Sequence, residues 1–147
     1  MQIPLFRQRA CLVAHPTNSL CDKRRISASD LRNNIWVLPP RNSPTRIAME
    51  DAFIRQGLSP PPGTVGTASS RLIYSLVSSQ SNMLALTPAE IGRELETLGG
   101  VRNVPLPIEL DLPWVGLIYL RRHKENPIVV RVRETLLALV SRGVPLD

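Results

Sequence analysis

Few residues of this 147-residue chain have the type and spacing that enzyme chemistry requires. The two histidines, His15 and His123, lie far apart in the sequence, and neither accompanies a nucleophile in a GxSxG turn. Glu94 and Glu96 are more typical of a solvated helix surface than of an acid–base pair. Gly99-Gly100 belongs to no phosphate-binding glycine motif and fits a helix end. The sequence therefore predicts a protein that is not an enzyme.

Metal and cofactor binding are not indicated either. Cys11 and Cys21 are ten residues apart and lack CxxC or Cys/His spacing, so a metal site has too few ligands. Two scattered thiols are typical of a reducing compartment. The N-terminal residues lack the pattern of a signal peptide, and no apolar run approaches the roughly 20 residues of a membrane span. We expect no metal, no cofactor, no membrane association and a cytoplasmic location.

The basic charge, formally +6 with a pI near 10.3, raises the question of nucleic-acid binding. Two short basic runs stand out, Lys23-Arg24-Arg25 and Arg121-Arg122-His123-Lys124. Neither run is interleaved with aromatic side chains that would stack on bases, and both fall where loops are expected. Such runs are more typical of solvated surface clusters. The sequence does not support direct DNA binding by this chain.

Short apolar runs predict the strands. ACLVA at 10–14, IWVL at 35–38 and MLAL at 83–86 are continuous apolar runs, as expected of strands covered on both faces. Further strands are predicted at 64–68, at 101–106 and at 114–120. The prolines near 101–106 place that strand at the edge or end of a sheet.

Capping residues and helical periodicity predict helices between these strands. A short helix is expected from Ser27 to Leu31. The longer helices run from Ser43-Pro44 to Gly57, from Ser69 or Ser70 across Val77, from a Thr87–Glu90 capping box to Leu98, and from Pro127 to Gly143. Three of them have residues expected to face a core, namely Ile47, Ala48, Ala52 and Phe53; Leu72, Ile73, Leu76 and Val77; and Val129, Val132, Leu136, Leu139 and Val140. Alternating strands and helices predict an α/β fold with helices on both faces of a sheet.

Five segments in this order and spacing resemble the effector-binding domain of LysR-type transcriptional regulators. They cover the chain from about residue 5 to 142 and are LVAHPTNSL (12–20), ISASDLRNNIWVLPP (26–40), SPTRIAMEDAFIRQGLSPP (43–61), VGTASSRLIYSLVSSQSNMLALTPAEIGREL (65–95) and VPLPIELDLPWVGLIYLRRHKENPIVVRVRETLLAL (104–139). Each segment alone is weakly diagnostic, but their order and spacing are specific.

The resemblance implies a periplasmic-binding-protein type II-like regulatory domain, in which an effector lies in a cleft between two α/β subdomains. Residues 1–147 would form a partial domain of this kind. Within it, 22–112 correspond to most of the second subdomain, and 1–20 and 113–147 to parts of the first. The family's helix-turn-helix domain is not found in this sequence, so DNA contact is expected only through such a domain elsewhere. The resemblance implies a homodimer or homotetramer.

Small anions bind favourably at helix N-termini near the carboxyl ends of strands, which suggests an effector site. Ser69 and Ser70 lie at a strand-to-helix turn, and the resemblance matches Ser69 to a family position whose hydroxyl contacts the effector. Arg41, Asn42 and Ser43 precede another helix and would line the same cleft. Simple N-capping is the alternative for both groups. His15 and Pro16 fall at an expected crossover between the subdomains and are predicted to act as a hinge.

The sequence thus predicts a small-molecule effector-binding and oligomerisation module whose effector is an anionic metabolite. Two alternatives stay open at this point. One is a non-functional, truncated remnant of such a regulator, with exposed apolar edges. The other is a free-standing solute-binding protein of the same fold, which would need an export signal.

Overall fold

The computed structural model describes residues 1–143, which divide into two compact units. The larger unit is Arg9–Leu112, and the smaller one combines Met1–Gln8 with the described residues from Pro113 onward. The strands are β1 (Gln2–Arg7), β2 (Ala10–Ala14), β3 (Ile35–Leu38), β4 (Gly63–Gly66), β5 (Met83–Pro88), β6 (Arg102–Val104) and β7 (Trp114–Ile118). The α-helices are α1 (Pro44–Arg55), α2 (Ser70–Ser79), α3 (Ala89–Thr97) and α4 (Pro127–Gly143), and 3-10 helices span Ser19–Asp22, Ala28–Leu31 and Arg121–His123.

The larger unit is built on a five-stranded mixed sheet with the strand order β4-β3-β5-β2-β6. β3 pairs in parallel with β4 and β5, whereas β2 runs antiparallel to β5 and β6. The carboxyl ends of β3, β4 and β5 therefore share one edge. β2 begins at that same edge, because Ala10 pairs with Pro88 and the Ala89 N–H donates to the Arg9 carbonyl at 2.9 Å.

Helices cover both faces of this sheet, because successive strand residues point to opposite sides. One face forms a core with α1, and its members include Leu12, Leu38, Leu84, Met49 and Phe53. The other face forms a core with α2 and α3, and its members include Val13, Val37, Ala85, Ile73, Val77 and Leu95. The predicted α/β architecture is confirmed, and the strand at 101–106 does lie at a sheet edge, as β6.

A buried cation stabilises the start of α1. Arg46 is 4% exposed, and its Nε donates to the carboxylate of Glu50 one turn later. The guanidinium lies against the first residue of β4, where a Cβ on Gly63 would come within 2.6 Å of Nη1. A buried guanidinium is tolerated only with such a partner, because an unpaired charge away from water is costly.

The start of α3 differs from the prediction. Thr87 does not cap this helix, because it belongs to β5, is fully buried, and has its hydroxyl 3.5 Å from the Cys11 thiol. The helix begins after Pro88 without a side-chain cap. Its predicted end is confirmed, since Gly99 and Gly100 both adopt positive φ angles, of 77° and 74°.

In the larger unit, two residues predicted to face the core are exposed instead. Ile47 of α1 is 48% exposed and Leu72 of α2 is 44% exposed. The residues that follow them are buried: Ala48 and Met49 follow Ile47 on α1, and Ile73 follows Leu72 on α2. The apolar stripe that meets the sheet is therefore narrower than the sequence pattern suggests.

The smaller unit consists of an antiparallel β1–β7 pair and α4, which contacts β1. Apolar periodicity did not predict β1 as a separate strand. On α4, Val140 is buried as predicted, whereas Val132 and Leu139 are 47% and 61% exposed. A two-stranded sheet is too narrow to cover the whole apolar stripe of a 17-residue helix. None of the helices described between residues 1 and 143 is long and apolar enough to cross a membrane.

Candidate functional site

The carboxyl edge of the larger sheet is where its topology opens a crevice. β3 leads through α1 to β4 on one side, whereas β5, its neighbour on the other side, leads into α3. Because α1 and α3 pack on opposite faces of the sheet, the chain leaves these adjacent parallel strands in opposite directions. Ligands of open α/β sheets bind at such a switch point.

A cavity of about 230 Å³ occupies this crevice. Its apolar lining residues are Pro39, Pro40, Ala68, Ile73, Leu86, Pro88 and Ile91. Its remaining lining residues all carry hydroxyl groups and are Ser43, Thr45, Thr67, Ser70 and Thr87. The described lining therefore contains no charged side chain. We call this space the switch-point cavity.

The first turn of α1 brings one set of hydroxyls to the switch-point cavity. Ser43 caps the helix, and its Oγ accepts the Arg46 N–H at 3.2 Å. Pro44, the first helical residue, has no N–H to offer. Thr45 is only 7% exposed, and within residues 1–143 its hydroxyl has no hydrogen-bond partner. The Thr45 hydroxyl therefore keeps its hydrogen-bonding capacity at the cavity wall.

The first turn of α2 brings the second set. Ser69 caps this helix by accepting the Leu72 N–H at 3.3 Å, and its own N–H donates to the Thr67 hydroxyl at 3.0 Å. Thr67 is in turn anchored to β3, because its N–H donates to the Leu38 carbonyl at 2.9 Å. Ser70, the next residue, is exposed and lines the cavity. This chain of contacts fixes the N-terminus of α2 at the end of β3.

Behind the cavity wall, Thr87 contacts a buried thiol. Cys11 of β2 donates to the Asn103 Oδ1 at 3.2 Å and lies beside the Thr87 hydroxyl. Burial raises the pKa of Cys11, and the hydrogen bond with Thr87 opposes that shift only in part. The raised pKa favours the protonated thiol over the thiolate, and Cys11 and Cys21 are both free cysteines.

The predicted effector-binding residues take three different positions. Ser43 and Ser70 both line the switch-point cavity. Ser69 lies at the same helix start, with its Oγ engaged in the cap. Arg41 and Asn42 are exposed in the turn before α1 and are not among the residues that line the cavity.

The predicted hinge residues lie elsewhere in the larger unit. His15 and Pro16 follow the carboxyl end of β2, which is at the opposite edge of the sheet because β2 runs antiparallel to β5. The chain passes between the units at Gln8–Arg9 and at Leu112–Pro113. The larger unit therefore begins earlier in the chain than residue 22, where the second subdomain was expected to begin. It includes β2 because β2 pairs with β5 and β6.

That opposite edge carries a polar cavity of about 400 Å³. The Asn18 amide holds its wall together by donating to the Asn34 Oδ1 at 3.0 Å and to the Ser81 carbonyl at 2.8 Å. At the rim, Lys23 pairs with Asp30. The Lys23 ammonium, with the N–H and hydroxyl of Ser27, lowers the pKa of Asp30 to about 2. The polar groups that line this cavity are thus largely hydrogen-bonded to one another.

Thr45 and Thr67 are lining residues that the sequence prediction missed. Thr45 follows the Ser43-Pro44 helix start. It therefore lies in the first turn of α1, where backbone N–H groups have no partner within the helix. Thr67 directly follows β4, and only the serines after it were predicted as site residues, because they are helix-capping candidates. Among the described residues, no three His, Cys, Asp or Glu side chains lie close enough together to hold a metal ion.

Comparison with known proteins places the chain in a family. The model of the LysR substrate binding domain matches residues 2–141. A curated relative, the HTH-type transcriptional regulator GbpR of Azospirillum brasilense, is 26% identical over 129 residues, which are 88% of this chain and 36% of the relative. The chain thus spans about a third of the length of that relative.

Two solved structures share the fold. A crystal structure from Vibrio parahaemolyticus, assigned as a transcriptional regulator, matches with a TM-score of 0.83 at 14% identity and covers 97% of this chain and 65% of that one. The effector binding domain of QuiR in complex with shikimate matches with a TM-score of 0.72 at 14% identity and covers 97% of this chain and 66% of that one. Because the family model extends from β1 into α4, this chain belongs to the LysR substrate binding domain family.

Proposed function

We propose that this chain is the small-molecule effector-binding and oligomerisation module of a LysR-type transcriptional regulator. The observation that carries the proposal is the switch-point cavity, where the N-termini of α1 and α2 meet at the carboxyl ends of the parallel strands β3, β4 and β5. The family model matches residues 2–141 to the substrate binding domain, so DNA contact would come from a separate helix-turn-helix domain. The QuiR domain, solved with shikimate, supports a small-molecule ligand.

In this proposal, the residues at the cavity have separate roles. Ser43 and Ser70 contact the effector from the two helix starts. Ser69 acts mainly as a positioning residue, because its cap and its bond to Thr67 fix the first turn of α2. Arg41 and Asn42, exposed before α1, would meet an effector that extends beyond the cavity. Regulation requires that the effector bind one arrangement of the domain more tightly than another.

A thermal-shift screen followed by titration calorimetry tests this assignment. The full chain is screened against small carboxylates, phosphate esters, sugars and amino acids, and binding is then measured for the chain, for Ser70→Ala and for Ser75→Ala. Ser75 is an exposed serine on the same helix and does not line the cavity. We expect Ser70→Ala alone to weaken binding. An effector whose affinity is equal for all three proteins binds elsewhere, which contradicts the proposal.

The oligomerisation part rests on the smaller unit. Trp114 and Ile118 of β7 are 53% and 75% exposed, and Ile128 and Leu139 of α4 are 74% and 61% exposed. Apolar surface of this extent is typical of subunit interfaces. The same exposure favours a second candidate, a remnant that does not form a competent module. Size-exclusion chromatography with near-UV circular dichroism separates them: a discrete dimer or tetramer with a fixed aromatic signal supports the module, and aggregation supports the remnant.

A further inference from the structure

The composition of the switch-point cavity restricts the chemistry of its ligand. We propose that the effector is a small monocarboxylic acid with a compact apolar body and no second charge. Its carboxylate would lie at the N-termini of α1 and α2, and its body would lie against Pro39, Pro88 and Ile91. This inference rests on the proposed function and names the ligand class of the same site.

The first observation is a hydroxyl without a protein partner at a helix start. Thr45 is 7% exposed and lines the cavity. Within the described residues, its hydroxyl has no hydrogen-bond partner. A hydroxyl that lines a cavity without a protein partner can donate a hydrogen bond to a ligand acceptor. Because Pro44 offers no N–H, Thr45 is also the first residue of α1 whose backbone N–H is available to an anion.

The second observation is the balance of charge. A helix N-terminus carries the equivalent of roughly half a positive charge, so α1 and α2 together offer about one. One carboxylate matches that charge. A dianion would place a second negative charge against a lining with no lysine, arginine or histidine. An amino acid would place its ammonium against a lining in which the residues described between 1 and 143 include no aspartate or glutamate.

The third observation is the shape and polarity of the remaining wall. Pro39, Pro40, Pro88, Leu86, Ile73 and Ile91 provide no side-chain hydrogen-bonding group. The hydroxyl groups of a sugar would lose water there without replacement, whereas an apolar body gains from burial. The volume of about 230 Å³ lies below the roughly 300–1,000 Å³ of pockets for drug-sized ligands, which indicates a compact molecule.

An NMR titration of the full ¹⁵N-labelled chain tests the inference at millimolar ligand. The probes are benzoate, cyclohexanecarboxylate and butyrate; their primary amides as uncharged matches; phthalate and succinate as dianions; and phenylalanine and galactose. We expect at least one monocarboxylate to shift the amide signals of Thr45 and Ser70, with an affinity at least tenfold higher than that of its amide or of either dianion.

Variants connect this preference to the site. Thr45→Val keeps the side-chain volume and removes the hydroxyl, and we expect it to weaken monocarboxylate binding by roughly tenfold or more. Ser70→Ala should weaken it as well, whereas Ser75→Ala should leave it unchanged. Far-UV circular dichroism of each variant checks that the fold is retained.

The possible outcomes separate the two proposals. If a dianion, amino acid or sugar binds more tightly than every monocarboxylate and its binding is lost in Thr45→Val, the ligand class is wrong and the site is right. If no probe shifts the signals of Thr45 and Ser70, the monocarboxylate inference is overturned. If a ligand found by the screen binds Thr45→Val and Ser70→Ala as tightly as it binds the parent chain, the proposed function of this cavity fails too.

Discussion

The carboxylate of Glu96 accepts two hydrogen bonds from Asn103, one from the backbone N–H at 3.0 Å and one from the side-chain amide at 2.9 Å. Glu96 lies on α3 and Asn103 on β6, so these bonds hold the helix close to an edge strand. The Asn103 Oδ1 also accepts from the Cys11 thiol of β2. The result is a close approach between α3 and two strands behind the switch-point cavity.

This close approach leaves no room for a side chain at Gly92. A Cβ there would lie 2.3 Å from the Cys11 Sγ and 2.4 Å from the Asn103 Oδ1. Alanine favours a helix over glycine by about 1 kcal/mol, and overpacking costs about 1–3 kcal/mol. We expect Gly92→Ala to lower the Tm in differential scanning calorimetry, and Cys11→Ala to restore part of the loss in the double variant.

Gly66→Ala is the matched control for that experiment, because a Cβ at Gly66 would have no neighbour within 4 Å. Its Tm should stay close to that of the parent chain. An equal loss of Tm in both variants would mean that crowding at Gly92 is not the cause.

Ser69→Ala should lower stability as well as effector binding. Its hydroxyl caps α2, and removal of a serine cap costs about 1 kcal/mol, which corresponds to a Tm decrease of about 2–4 °C in a chain of this size. Ser70→Ala removes no cap and should leave the Tm nearly unchanged. Urea unfolding of both variants separates the positioning role from ligand contact. A normal midpoint for Ser69→Ala would contradict the assignment of the cap.

Glu50→Gln should destabilise the chain because it leaves the buried Arg46 without its carboxylate. Loss of one partner of a buried ion pair costs about 3–5 kcal/mol, and we expect the lower end here because Glu50 is 34% exposed. Asp51→Asn, at an exposed neighbouring position, is the control. Replacement of both partners by Arg46→Met and Glu50→Gln should recover part of the loss in chemical denaturation. If the double variant recovers none of the lost stability, packing around Arg46, and not its unpaired charge, determines the loss.

Asp30 should make stability depend on pH below about 4. Its pKa is lowered from an ordinary 3.8 to about 2, so the folded state binds the proton less tightly than the unfolded state does. The stabilising contribution is therefore complete above pH 3.8 and is lost as the pH falls toward 2. Asp30→Asn should reduce this dependence in urea midpoints measured from pH 2 to 5, and Asp22→Asn should not. A carboxyl titration of Asp30 by NMR near 3.8 would refute the assignment.

The sequence predicted the architecture well because apolar runs and caps are local signals. IWVL at 35–38 and ACLVA at 10–14 coincide with β3 and β2, since strands buried on both faces leave continuous apolar runs. The capping box at Thr87 was wrong because pairing of β5 with β2 extended the strand through Pro88. No local signal reports that long-range pairing.

The candidate site was predicted only in part for a similar reason. Ser43 and Ser70 follow from helix-start patterns, and both line the switch-point cavity. Thr45 and Thr67 gain their positions from the order of β3, β4 and β5, which no short segment encodes. The exposure of Val132 and Leu139 likewise depends on how much sheet is present opposite α4, which helix periodicity does not report.

The reversed direction of β2 connects the cavity wall to the point where the chain enters the larger unit. Because Ala10 pairs with Pro88 and the Arg9 carbonyl accepts from Ala89, the peptide that leaves the larger unit is bonded to the first turn of α3. Pro88 and Ile91 of this same segment line the cavity. An occupant that displaced this segment would therefore act on the 2.9 Å contact between Ala89 and Arg9, at the residue where the chain enters the larger unit.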